Sequence, residues 1–163
     1  MSIVTFYCTD PRNAPKTTQG AHLGGNAILL WQDRLLLERR VDADVWGLIG
    51  GGAKKWETGR QAVARECLEE LGITVNPADM EFVHLCHRVA GGDGRTYYDL
   101  CFVIRKYDGT PAVMEPNKNA GLRWFPTEAL PENTSTAVEV MLRPCLRGQP
   151  YSEVIHDLPV TSI

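Results

Sequence analysis

An α/β fold, with a mixed sheet covered by helices, is what this sequence predicts, and three observations predict it. Short apolar runs of strand character stand on both sides of one amphipathic helix pattern. That helix is bracketed by clear start and stop signals. A second helix pattern follows the last long strand, so the sheet has a helix available for each face. The 163 residues, 44% apolar and 23% charged, suit one domain spanning 1–163 with a proper buried core. No repeat, low-complexity tract or linker divides the chain.

Taken in order, "MSIVTFYCTD" holds a short first strand, and the turn-forming stretch from Asp10 to Gly20 reads as a loop. "GGNAILLW" and "RLLLERR" flank Gln32-Asp33 and predict a hairpin. "VWGLIGGG" reads as a short strand running into a glycine-rich loop. After the first helix come two strands, "EFVHLCHRV" and "RTYYDLCFVIRKY", joined by the turn-prone "AGGDG". "AGLRWF" is a further strand. In "LPENTSTAVEVMLRP" a second helix is expected, with Asn133 as its N-cap and Pro144 as its stop.

Seventeen basic residues against 20 acidic ones leave a net charge of −3. That balance argues against a broad surface for nucleic-acid polymers or anionic membranes. The N-terminus has no basic segment and no long apolar run, so it is not a signal peptide, and "NAILLW" is too short to span a bilayer. Five scattered cysteines without a C-x-x-C pair read as reduced thiols, and a cytoplasmic location is expected.

The first helix carries the chemistry. Thr58 followed three residues later by Gln61 is a capping-box pattern, so the helix should begin near Gly59. Gly72 is a natural residue to follow its last turn, so it should end near Leu71. Val63, Ala64, Cys67, Leu68 and Leu71 project as its apolar face, with Glu66, Glu69 and Glu70 gathered roughly opposite. Three carboxylates at these spacings repel one another by a few tenths of a kcal/mol per pair. A solvated acidic face is the plain reading; a hard divalent cation held by carboxylate oxygens is the functional one.

The residues upstream decide between them. "GGAKKWETGRQAVARECLEELGI", Gly51 to Ile73, resembles the signature of the Nudix hydrolases, G-x5-E-x7-R-E-U-x-E-E-x-G-U, where U is a bulky apolar residue. Gly51, Glu57, Arg65, Glu66, Glu69, Glu70 and Gly72 meet every fixed position, a coincidence of order 10⁻⁹ by chance. "WGLIGGG", "NAGLRWFPTEALPEN" and "RGQPYSE" resemble further segments of MutT-like members, so the likeness covers roughly Gly24 to Glu153 and leaves residues 1–20 unaccounted for. It departs from the pattern at Ile49, where proline is common, and at Lys54, Lys55 and Trp56, which replace the usual acid, proline and glycine.

The resemblance implies a Nudix-type α/β/α sandwich with a central mixed β-sheet. It implies a Mg²⁺-dependent enzyme, with Mn²⁺ as the other candidate ion, that splits the pyrophosphate linkage of a nucleoside diphosphate derivative. Glu66, Glu69 and Glu70 would be the metal ligands and Glu57 an additional or water-mediated one. Arg65 would orient Glu57 or Glu70 by an ion pair, and Gly51 would be a backbone device beside the phosphates. The general base would be a box glutamate or a carboxylate from a distant loop, such as Glu115. The expected substrate is a (deoxy)nucleoside triphosphate, with oxidised purine nucleotides as candidates, cleaved to monophosphate and pyrophosphate. ADP-ribose or a nucleotide sugar is the rival class, and a non-catalytic nucleotide sensor the rival function. Dimers are frequent among proteins resembling this one, so a homodimer is one expected state.

On the substrate side, Arg39 and Arg40 end a strand near the glycine loop, where a planar guanidinium suits phosphate oxygens; an exposed strand end is the competing reading. Trp124 stands where some family members stack a base, against the competing reading of a core aromatic. His84 and His87 should face opposite sides of one strand, and one of Tyr97 and Tyr98 should be core.

Overall fold

The computed structural model describes residues 4–7, 20–89 and 95–155. The expected loop from Asp10, the "AGGDG" turn and Cys8 lie outside them, Gly20 excepted. The strands are β1 (Val4–Tyr7), β2 (His22–Trp31), β3 (Arg34–Arg40), β4 (Trp46–Gly47), β5 (Ile49–Gly52), β6 (Glu81–Val89), β7 (Tyr97–Ile104), β8 (Asn119–Pro126) and β9 (Tyr151–Ile155). Helix α1 covers Gly59–Leu71, and a second helical segment runs over 136–146, ending in α2 (Arg143–Leu146).

The sheet is mixed, in the order β1-β9-β6-β7-β2-β3-β4, with β5 also paired to β2 and β8 to β3. β2 is its pivot. Its length pairs in parallel with β7, its first half is antiparallel to β5, and its end turns at Gln32-Asp33 into β3. In place of the expected short strand running into a glycine-rich loop, the glycines of "VWGLIGGG" themselves form a strand, and the stretch is divided at Leu48: β4 pairs with β3, whereas β5 pairs with β2. That division sends the glycine-rich segment across the middle of the sheet.

Alternation along the strands builds a core on each face. Ala27 and Leu29 of β2 join Ile49, Phe102 and Ile104 beneath Val63, Cys67 and Leu71 of α1. Ile28, between them, joins Leu35, Leu37, Cys101 and Val154 beneath Val138, Met141 and Leu142 of the second helical segment. Each large aliphatic side chain so buried contributes about 1.5–3 kcal/mol. The result is the helix–sheet–helix sandwich expected.

α1 begins and ends as its signals predict. Thr58 accepts from the Gln61 amide, Gln61 reaches back to the Thr58 amide, and Gly72 closes the last turn at φ 68°. Its buried stripe is Gly59, Ala62, Val63, Cys67 and Leu71, with Ala64 partly buried against the core. Leu68, expected on that face, is instead 55% exposed, because the helix docks along the Gly59–Val63–Cys67 line and Leu68 projects about a quarter-turn away.

The second helical segment corrects two expectations. Asn133 does not cap it; its side-chain amide donates to the Asp44 carbonyl, and the helix starts later. Pro144 does not stop it. The stretch Val138–Leu142 is wound as π-helix, so the Arg143 amide bonds the Val138 carbonyl five residues back. Pro144 has no N–H for the carbonyl of Val140, four residues before it. The Ser152 hydroxyl of β9 donates to that carbonyl instead, at 2.7 Å. The orphan acceptor is thereby satisfied and the helix continues.

Candidate active site

The carboxylates of α1 meet the backbone of β5. Gly50 donates its amide to Glu70 Oε2 at 3.1 Å, and a Cβ on Gly51 would overlap the Glu66 carboxylate. Glycine at that position is therefore a matter of close approach: the missing side chain is what lets Glu66 lie against the loop. The acidic arc of the helix does not look out to solvent as a whole; Glu66 is well covered, while Glu69 is about half exposed.

Arg65 binds this cluster together. Its guanidinium donates to Glu57 through Nε and Nη2 at 2.9 and 3.0 Å, and to Glu66 and Glu69 through Nη1 at 2.7 and 2.9 Å. A further bond reaches the Gly52 carbonyl at 3.0 Å. Arg65 therefore orients Glu57, as expected, but its second and third partners are Glu66 and Glu69 rather than Glu70. Lys54 adds a bond from its amide to Glu57 at 2.8 Å and one from Nζ to Glu69 at 3.1 Å.

These partners divide the carboxylates electrostatically. The Arg65 hydrogen bonds hold the Glu57 carboxyl below the usual range, and Arg65 with Lys54 does the same for Glu69. Among the described residues no cation pairs with Glu70. Burial, followed by repulsion from Glu38 and Glu66, raises it to about 8. Among the described residues no three acidic, imidazole or thiol side chains already form a metal cage, and positive charge reaches the box glutamates from the Arg65 guanidinium and the Lys54 ammonium.

Glu38 was not singled out from the sequence, although a glutamate inside the apolar run "RLLLERR" was the available signal. It is 5% exposed, accepts from the Asn119 amide at 3.1 Å, and is raised above the usual range chiefly by burial. Glu115 also adds to the field that raises Glu70, while its carboxylate is held by Lys118 at 2.8 and 2.9 Å.

On the other side of Gly50, Gly51 and Gly52 lies a cavity of about 750 Å³. Asn26, Arg40, Asp99, Tyr97 and Ser135 contribute to its lining. Asp99 is 5% exposed and is held by Arg88 at 2.5 Å; it lies over Gly24, its partner in the β2–β7 register, where a Cβ would overlap it. Arg88 stacks on the Tyr97 ring at 4.6 Å, and His22 meets that ring at 5.4 Å with the two planes tilted by 31°. Ser135 Oγ is, among the described residues, a buried polar side-chain atom without a hydrogen-bond partner. The cavity thus offers a carboxylate, an amide and a free hydroxyl beside an aromatic wall.

Of the remaining sequence candidates, Arg40 lines this cavity and is held by Asp42 at 2.8 Å. Arg39 pairs with Asp44 at 2.6 Å and is not among the lining residues. Trp124 packs against the α1 core and edge-on to Trp31, with ring centroids 6.1 Å apart, also away from the cavity. His84 is buried while His87 stacks on Tyr98 at 4.5 Å. Neither tyrosine is core: Tyr98 is 37% exposed and Tyr97 faces the cavity.

A model of the NUDIX domain matches residues 22–143. Among solved structures, the chain is similar to a MutT Nudix hydrolase from Burkholderia pseudomallei, at 27% identity over 80% of this chain and 98% of that one, with a TM-score of 0.70. It is similar also to the ORF135 protein of E. coli, at 27% identity over 70% and 79% of the two chains, TM-score 0.59. A Nudix hydrolase from Nitrosomonas europaea shares the fold at 20% identity, over 81% and 93% of the chains, TM-score 0.66. None of the curated proteins compared matches the chain. With the glutamate helix laid against a glycine strand and the domain matched over most of its length, the chain belongs to the Nudix family, as a hydrolase of pyrophosphate bonds.

Proposed function

We propose that this hydrolase acts on a (deoxy)nucleoside triphosphate, oxidised purine nucleotides included, and cleaves it to monophosphate and pyrophosphate. The observation that carries the reading is that one segment, Gly50–Gly52, borders both the carboxylate cluster and the 750 Å³ cavity. A base held in the cavity would place its phosphates along that bare backbone, beside the glutamates.

The donor set fits a hard divalent cation. Glu66, Glu69 and Glu70 offer carboxylate oxygens and Glu57 stands next to them, a chemistry that suits Mg²⁺ or Mn²⁺. When bound, such an ion neutralises a pyrophosphate and activates water for in-line attack. The chain's own residues do the rest. Glu66 and Glu69 would turn from Arg65 to hold the ion, while Arg65 keeps Glu57 oriented through its two-bond contact. Glu70, held against the glycine strand by the Gly50 amide, is the box glutamate we assign to accept the proton of the attacking water. In the cavity, Asp99 and Asn26 supply an acceptor and an amide to a base edge, and Tyr97 and His22 aromatic surface beside it.

The test is incubation with Mg²⁺ and a panel of nucleoside triphosphates, oxidised purine triphosphates, ADP-ribose and nucleotide sugars, with each product quantified. Pyrophosphate and monophosphate release from a triphosphate is expected. Turnover confined to ADP-ribose or a sugar nucleotide overturns the substrate class, and binding without turnover on the whole panel would favour a sensor.

A further inference from the structure

The segment after the glycine strand holds a residue that the catalytic reading leaves unused. Trp56 is 90% exposed and adopts φ 71°. The Glu57 amide bonds the Lys54 carbonyl at 3.0 Å, which closes a four-residue turn with Lys55 and Trp56 at its tip. Trp56 occupies the third position of that turn, where a positive φ calls for glycine. A bulky side chain in the left-handed region is a genuine outlier, and such strain persists where function uses it. Packing does not offset it here, because almost the whole indole faces solvent. Lys55 Nζ lies over the ring, 5.3 Å from its centroid.

The turn's place gives the indole a task. Both ends of the turn belong to the site: Lys54 contacts Glu57 and Glu69, and Glu57 is bound by Arg65. The cavity lies on one side of Gly50–Gly52 and is lined as far as Ala53; Lys54, Lys55 and Trp56 continue the chain beyond its edge. A substrate with its base in the cavity and its phosphates along the glycines would therefore direct its far end toward this turn.

We propose that Trp56 sets specificity on the leaving side of the substrate: its indole stacks on an aromatic group carried beyond the scissile pyrophosphate, and Lys55 meets the intervening phosphates. The proposal rests on the pyrophosphatase reading above and extends it to nucleotides with a second base at the far end of the phosphate chain. In that reaction the water oxygen bonds to a phosphorus, the bridging P–O bond breaks, and the far nucleoside departs with the remaining phosphates. The water's protons pass to the site base and to solvent.

The experiment compares a dinucleoside tetraphosphate with the matching nucleoside triphosphate, using wild type, Trp56→Ala and Trp56→Phe. Alanine keeps the backbone strain and removes the ring; phenylalanine keeps a ring. Trp56→Ala should lower kcat/KM for the tetraphosphate about tenfold, mainly through KM, and leave the triphosphate within about twofold. Trp56→Phe should stay within about threefold of wild type on both. Equal losses on the two substrates, or no loss on either, overturn the proposal. Trp56→Gly should hold or raise the thermal midpoint, since glycine accepts the positive φ freely; a fall of several degrees would reveal a packing role and overturn it as well. If neither compound is turned over, the pyrophosphatase reading fails on its own account. Calorimetric titration of the two ligands onto wild type and Trp56→Ala then decides the indole's role: a tenfold loss confined to the tetraphosphate supports it, and equal affinities overturn it.

Discussion

Glu70 combines a cost to the fold with the role proposed for it in the reaction. Among the described residues it is the box carboxylate that pairs with no base, and burial together with Glu38 and Glu66 makes its negative charge unfavourable. Glu70→Gln removes that charge and keeps an oxygen to accept from Gly50. In chelator-treated protein the thermal midpoint of this variant should equal or exceed that of wild type, while kcat falls at least about a hundredfold. Scanning calorimetry and product release measure the two. Near-full activity in Glu70→Gln would remove Glu70 from the machinery. The four box glutamates were legible in the sequence because their positions are fixed by one short spacing. Glu38, Asp99, Asn26 and Ser135 were not, since they come from separate elements that meet only through long-range strand pairing.

Elements whose ends are set by local chemistry were equally legible. α1 runs from the Thr58 capping box to the Gly72 cap because both signals act within a turn of the helix they bound. The second helical segment was misread at both ends for the complementary reason. Its continuation past Pro144 depends on Ser152, from β9, supplying the hydrogen that proline lacks. Ser152→Ala should leave the Val140 carbonyl unpaired, cost about 1–3 kcal/mol and lower the midpoint by roughly 3–10 °C, with kcat within about twofold. Pro144→Ala restores an N–H four residues after Val140, so the Ser152→Ala penalty should shrink in that background. An undiminished penalty in the double variant would dismiss the compensation.

For the molecule as a whole, layering could be read from the order of strands and helices, whereas strand order could not, because parallel pairings such as β2–β7 and β6–β9 join distant segments. His84 is buried at one such junction, where β6, β9 and the second helical segment meet. Its Nδ1 donates to the Gln149 carbonyl at 2.7 Å and its Nε2 lies 2.8 Å from Ser152 Oγ. Burial lowers its pKa below the ordinary value of 6.5. As pH falls through about 6.5 the unfolded chain takes up a proton that the folded chain resists, so stability declines toward the lowered pKa and levels off below it. Urea midpoints recorded from pH 8 to pH 5 should show this fall in wild type and less of it in His84→Gln. Parallel curves would mean that His84 is not the titrating group.

The paired glycines of β2 carry one more consequence. Gly24 lies beneath Asp99 on the cavity side, and a Cβ on its neighbour Gly25 would come within 2.7 Å of Val63 Cγ2 on the α1 side. At this point the partition between the cavity and the helix that bears the glutamates is one layer of backbone, without side chains to cushion it. A ligand seated against Asp99 would press, through that single layer, on the turn of α1 that precedes Arg65 and Glu66. The proposed recognition and catalytic sites would then share a wall, so that the fit on one face bears on alignment at the other.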